Sequence, residues 1–242
     1  MILNFIPIKT RIVQPPKDEI WDIIDSLDVK EGDIVFITSK ILGIHEGRTA
    51  KMDEVEKEDL IRQEAEHWLP YTHRAGYKCN LTIVQNVLMA SAGIDESNSN
   101  GYYVMWPSNP DEICAEIRAR LVAKHGLKDL GVVTTDSHTT PLRWGVVGIA
   151  IGLAGVEPLE DIRGKPDIFG REMKVTQVNR IDALAGMATL LMGEGAETQP
   201  VVILRGYKNI VFDEGASMKD FKIKPEDDIY QPLVDVIRSA SS

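Results

Sequence analysis

Cysteine is scarce in this chain of 242 residues: only Cys79 and Cys114 occur. There is no CxxC pair and no Cys/His spacing, which excludes a structural zinc module. The two read as buried thiols of a reducing compartment, with a single disulfide left open. Positive charge is also short. Lys plus Arg is 27 against 37 for Asp plus Glu, a formal net charge of −10. That balance argues against a protein that tracks duplex nucleic acid or lies on an anionic membrane, because both need a cationic face. It leaves room for a small anion in a local basic pocket. Long apolar runs are missing too. The longest uncharged stretch, Trp144 to Val156, falls short of the ~18 residues of a membrane span and reads as core. The apolar start, MILNFIPIKTR, is too brief for a signal h-region, so a cytoplasmic protein is expected. Several motifs are absent: GxxxxGK[ST], GxGxxG after a strand, GxSxG and HExxH. Any nucleotide chemistry must then use another scaffold.

What is present suits a soluble globule, with 43% hydrophobic and 26% charged residues. No Pro/Gly/Ser linker, low-complexity tract or repeat divides residues 1–242, so a single unit is expected, with two intertwined subdomains left open. Residues 2–8 read as a strand. Ile20, Ile23, Ile24 and Leu27 recur at helical spacing. Gly32-Asp33 turns into the continuous apolar strand IVFIT. A charged helix is expected over 56–68, and strands over 81–84, 102–106, 130–135, 173–178 and 201–204. Asn109-Pro110-Asp111-Glu112 is a helix start, with Ile113, Ile117 and Leu121 inward and Gly126 as the stop. A helix over 179–192 would bury Leu184, Ala188 and Leu191 and end at Gly193, and Pro232 opens a last helix. Strands and helices interleave irregularly, which predicts an α+β fold with mixed sheets and packed helices, not a Rossmann or TIM fold.

Oxygen-rich segments carry the candidate chemistry. ASAGIDESNSNG concentrates Asp95, Glu96, Ser97 and Asn98 between Gly93 and Gly101. Hard oxygen donors of this kind suit magnesium or manganese; a surface Asx turn is the plainer alternative. Asp136 closes a buried-looking strand, followed by Ser137, His138 and Arg143. An Asp-Ser pair at a strand end can hold a metal and its bound phosphate, or simply cap a turn. A Ser137-His138 nucleophile–base pair is disfavoured, because sequence neighbours point apart. Ser39 and Lys40 follow a strand, where Lys40 could reach phosphate oxygens. Gly164 and Gly170, flanking Arg163, Asp167 and Arg171, suggest a close approach of the backbone to a ligand or another strand. Glu194 lies in an acidic loop after the expected C-cap Gly193.

Taken together, GDIVFITSKI, HEGR, AGIDESN, the Asp136-Ser137 strand end, GIAIGLAGVEPLEDIRGKPDIFGREMKVT and LLMGEG resemble the gamma-glutamyl ligases that add glutamate to the precursor of the deazaflavin coenzyme F420. The stretches occur in family order between residues 31 and 206. The resemblance implies that family's own α+β fold, an intertwined homodimer, GTP (or ATP) as co-substrate and two divalent cations, Mg2+ or Mn2+. It implies metal ligation by Asp95, Asp136, Ser137 and Glu194. It implies nucleotide contacts from Lys9, Thr10, Arg11 and Ile12, from Ser39, Lys40 and Asn98, and from Met192, Gly193, Glu194, Gly195, Ala196, Glu197, Thr198 and Gln199. Arg143 and Arg163 are the candidate catalytic residues, binding carboxylates or phosphates. The substrates would be L-glutamate, a nucleotide and a pterin- or deazaflavin-type acceptor, with no nucleic-acid or membrane partner.

Three departures stand out. His138-Thr139-Thr140-Pro141-Leu142 replaces the family's aromatic-Gly-Arg loop, Ile44 stands where the family has Lys, and the segment 9–12 reads Lys-Thr-Arg-Ile. They motivate the expectation that a folate-type glutamate is the acceptor. A non-catalytic nucleotide-binding homologue is the rival reading.

Overall fold

The computed structural model describes residues 3–72, 76 and 78–240. Its centre is a five-stranded sheet of β1 (Asn4–Ile8), β12 (Val201–Arg205), β2 (Asp33–Thr38), β8 (Leu130–Thr139) and β9 (Val146–Ala154), in that order. Only β2 and β8 run parallel; the other three pairings are antiparallel. Both faces of the sheet are covered, which is why IVFI reads as a continuous apolar run and not as an alternation. Val35 and Ile37 meet one layer: α1 (Trp21–Asp25), α2 (Ser39–Glu46) and α4 (Pro110–His125). Ile34 and Phe36 meet α5 (Arg180–Met192) on the other face.

The glycines of β9 are where the helices touch the sheet. A side-chain carbon at Gly148 would overlap Thr189 of α5, and one at Gly152 would overlap Pro110 at the start of α4. The Gly-rich run therefore reports close helix–sheet packing. A separate antiparallel sheet of β4 (His67–Thr72), β5 (Lys78–Val84) and β6 (Val87–Ala90) packs with α3 (Lys57–Glu64) around a smaller core holding Leu60, Met89, Ile94 and Trp106. Two short ribbons complete the sheets, β3 (Thr49–Lys51) with β7 (Tyr102–Val104), and β10 (Leu159–Asp161) with β11 (Gln177–Asn179). Finally α6 (Gln231–Ala240) packs on β4.

The mixed α+β architecture is as expected, and α4 follows its sequence signals closely. Asn109 caps it by accepting from the Glu112 amide, and Gly126 ends it in the left-handed region. Four expectations need correction. The helix over 56–68 stops at Glu64, because His67–Thr72 pairs with β5 and Pro70 cannot continue a helix. The strand over 173–178 is only Gln177–Asn179; Met173 instead donates its amide to the Lys165 carbonyl in a turn-rich arm. In α5, Leu191 is exposed and the buried stripe is rotated to Ile181, Leu184, Ala185, Ala188 and Met192. The run from Trp144 is core only from Gly148 onward: Trp144 is 100% exposed, and Val146 and Val147 are about half exposed. Both cysteines are free thiols, Cys114 buried and Cys79 partly so. Among the described residues no helix is long and apolar enough to cross a membrane.

Candidate active site

Strands β2 and β8 pair side by side up to Thr38 and Thr135, where β2 ends and β8 runs on against β9 to Thr139. Lys40, two residues beyond Thr38, and Asp136–Ser137, just beyond Thr135, line a cavity of about 570 Å³ where the β2–β8 pairing ends. Ligands of sheets with parallel strands commonly sit there. A bulge between Thr134 and Thr135 in the β8–β9 ladder lies just before Asp136. Bulges of this kind re-aim the side chains that follow.

Four other stretches close the cavity: residues 10–15, the Asp95–Asn100 loop, the end of α5, and the loop from Gly193 to Pro200. Backbone pairing ties them together. The Thr10 amide donates to the Thr198 carbonyl at 3.0 Å, the Thr38 amide to the Pro200 carbonyl at 3.0 Å, and Asn98 Nδ2 to the Gly195 carbonyl at 2.9 Å. Asn98, Asn100 and Thr198 all have positive φ. For the β-branched Thr198, at 56°, that is a strained backbone at the cavity lip.

The carboxylates differ in their surroundings. Asp136 keeps a little surface toward the cavity but is otherwise walled in by protein. Burial pushes its carboxyl up to about 7, against the opposing pull of the Trp106 indole N–H and the Ser137 amide, both of which donate to it. Trp106 is itself buried. A side chain at Gly93, whose φ is +68°, would collide with its ring, and Arg48 Nε donates to its carbonyl. Asp95 experiences burial too, but Lys40 and Ser97 outweigh it and hold its carboxyl below the usual range. Lys40 Nζ stands 2.6 Å from one Asp95 oxygen, while the other accepts from the Ser97 amide at 2.7 Å and hydroxyl at 2.9 Å. Glu194 is raised by partial burial; a hydrogen bond with Ser137 opposes that shift. Among the described residues no three His, Cys, Asp or Glu side chains form a group placed to hold a metal ion on their own.

The structure brings together Thr10, Arg11, Ile12, Lys40, Asp95, Asn98, Asp136, Ser137 and all of Met192–Gln199. It leaves four expected site residues outside the lining. Lys9 faces solvent, and Ser39 is a buried first residue of α2. Arg143 lies in an exposed turn, and Arg163 pairs with Asp161 of its own turn, its Nε 2.9 Å away. Arg11 lines the cavity but spends its guanidinium on Asp18, Asp22 and the Glu19 carbonyl, at 2.6 to 3.1 Å. Gly164 and Gly170 have open space where a side chain would stand, so they serve left-handed turns and no close approach. His138 is half-buried beside Ser137 on β8 but does not line the cavity. The sequence reading missed Trp106, whose only signal was an aromatic closing an expected strand. It also missed the apolar wall of Val13, Ile41 and Ile44.

The sequence model of the F420-0:gamma-glutamyl ligase family matches residues 7–206, a span that holds every wall of this cavity. Curated relatives cover most of both chains. The coenzyme F420:L-glutamate ligase of Methanopyrus kandleri is 37% identical over 217 residues, 82% of this chain and 84% of the relative. That of Methanocaldococcus jannaschii is 34% identical over 224 residues, 85% and 88%. That of Archaeoglobus fulgidus is 31% identical over 240 residues, 89% and 92%. The match thus extends from the sheet through both loops that close the cavity, and the chain belongs to the F420-0:gamma-glutamyl ligase family.

Proposed function

We propose that the chain joins L-glutamate through a γ-glutamyl bond to a carboxylate of a deazaflavin F420 precursor, at the expense of a nucleoside triphosphate. One observation carries this reading. Asp95, Asp136, Ser137 and Glu194, from three distant segments, share one cavity with Lys40 and the N-terminal turn of α2. No side chain caps that turn, so its amide donors and the helix dipole are available to phosphate oxygens. The acceptor follows the relatives, whose names specify coenzyme F420. Of the departures behind the folate-type expectation, residues 138–142 and Lys9 lie outside the cavity lining, while Thr10, Arg11, Ile12 and Ile44 are part of it.

The donor set fits a divalent cation of the magnesium type. It offers hard oxygens from one deeply set carboxylate, one half-buried carboxylate, one hydroxyl and one loop carboxylate. Such ions usually take one or two protein carboxylates and complete their shell with water and substrate phosphates. Asp95, Asp136, Ser137 and Glu194 would hold it, and its chemistry would be to neutralise the charge of the triphosphate and the transferring group. The γ-phosphoryl passes to an acceptor carboxylate oxygen and the nucleoside diphosphate leaves. The glutamate amine then attacks that acyl carbon, the C–O bond to phosphate breaks, and the amine's extra proton passes to solvent or to phosphate. No enzyme nucleophile enters; the chain's part is to position both reactants and to hold Lys40 and the α2 amides against developing charge.

The exposed apolar residues outside the cavity support a homodimer. Leu142, Trp144, Ile168, Phe169 and Val175 are each at least 85% exposed, which a stable monomer rarely tolerates. Light scattering at micromolar concentration reads the dimer directly. The activity is tested by mass spectrometry of deazaflavin and folate acceptors incubated with enzyme, magnesium, glutamate and GTP or ATP. A gain of glutamate mass on the deazaflavin precursor is expected. Nucleotide binding with no elongation of any acceptor would favour the non-catalytic reading instead.

A further inference from the structure

We infer that Lys40 occupies the cation position at Asp95 in the resting enzyme and leaves it only when a triphosphate arrives, so that cation and nucleotide bind as a coupled pair. The inference rests on the reading of this cavity as a metal and nucleotide site. Lys40 stands at the start of α2, beside the helix amides a phosphate would use. Yet its ammonium points at the acidic loop. It is 2.6 Å from Asp95 Oδ2, and it donates to the Ser97 carbonyl at 2.9 Å and the Ser97 hydroxyl at 3.1 Å. The Ser97 hydroxyl in turn donates to Asp95 Oδ1. Both Asp95 oxygens are therefore engaged.

A half-buried carboxylate that is already neutralised attracts a second cation weakly, because the newcomer must displace a partner at contact distance. A triphosphate alters that balance. It offers Lys40 a larger negative partner within reach of a side chain with four rotatable bonds, and so frees the carboxylate for the metal. By linkage, the nucleotide raises cation affinity by the same factor as the cation raises nucleotide affinity.

The test is nucleotide-free Mn2+ binding, read by electron paramagnetic resonance, for the whole enzyme and for K40M, K40R, D95N and the K40M/D95N double variant. We expect K40M to bind Mn2+ about tenfold more tightly than wild type, since one of two competing cations is gone. K40R, which keeps the charge, should stay within about twofold of wild type. D95N should bind more weakly, and the K40M gain should vanish in the double variant. If D95N weakens binding but K40M leaves it unchanged, Lys40 does not guard the site and the inference fails while the metal reading stands. If no protein binds Mn2+, or D95N binds like wild type, the metal reading fails and takes the inference with it. Thermal melts of each variant show whether it is folded, and K40Q, which also removes the ammonium and carries the same expected gain, takes the place of K40M if K40M is not.

Discussion

Asp136 should make the metal-free protein lose stability as pH rises, and replacing it with asparagine should remove that dependence. The carboxyl sits near 7 in the folded chain against 3.8 when exposed. A group whose folded value is raised binds more protons folded than unfolded between those two values. Its contribution is thus intact below 3.8 and is lost as pH climbs toward 7. At 1.36 kcal/mol per tenfold, the interval from pH 5 to the folded value amounts to ~3 kcal/mol, an upper figure because the little surface left toward the cavity admits water. The D136N variant would have no such dependence. It would carry a constant penalty, since the Trp106 indole and the Ser137 amide donate to different carboxylate oxygens and the NH2 that replaces one of them would face a donor; that costs about 1–3 kcal/mol at every pH. The observable is therefore a double difference, the melting temperature of D136N minus wild type, at pH 8 and at pH 5, in chelator. For a chain of this length ~3 kcal/mol corresponds to a swing of roughly 5–10 °C in favour of the variant at pH 8. Activity of D136N should be low at both. Equal differences at the two pH values would refute the argument, for they would mean that Asp136 titrates as an exposed carboxylate.

Three further outcomes follow from the same neighbourhood. Trp106→Phe removes a donor that stabilises the ionised Asp136, so the acid limb of the activity–pH profile should move up by about one pH unit, with the fold intact by circular dichroism. Gly93→Ala combines a left-handed φ with a methyl inside the Trp106 ring's envelope and should destabilise by about 2–4 kcal/mol, read by denaturant melts; a change under ~0.5 kcal/mol would show that the indole can move aside. Ser137→Thr keeps the hydroxyl and should lower turnover modestly, whereas Ser137→Ala should lower it at least tenfold, and equal slight effects of both would remove Ser137 from the site.

The layers of this fold were legible where one residue type answers one local demand. The Asn109-Pro110 start of α4 and the Gly126 stop work through capping alone, and IVFI is buried on both faces wherever its neighbours come from. Legibility failed where a distant partner decided the outcome. His67 and Trp68 fall within the helix expected over 56–68, but an antiparallel partner at 78–84 claims the backbone of His67–Thr72. Leu191 shares a helical face with Leu184 and Ala188, yet the sheet is met by a stripe centred on Ala185 and Ala188, where small residues let α5 reach Gly148. Trp144 and Val146 look like core because they are apolar; within one chain nothing covers them.

The cavity shows the same division more sharply. Its oxygen donors could be picked out from sequence because short oxygen-rich segments and the family resemblance pointed to the same residues, but how they are held could not. Asp95 and Asp136 are both aspartates beside buried backbone, and by type alone they would titrate alike. They diverge because Lys40, two residues past the end of β2, reaches one, while the other is offered only an indole N–H and an amide. Trp106 in turn reaches Asp136 because Gly93 has no side chain to block the ring. A neutral donor lowers a buried carboxyl less than an ammonium at contact distance does, so the two positions respond oppositely to the same burial. One carboxylate is kept charged and already partnered; the other is pushed toward its neutral form by burial. That asymmetry comes from the partners brought to each carboxylate from separate segments, Lys40 to Asp95 and Trp106 to Asp136.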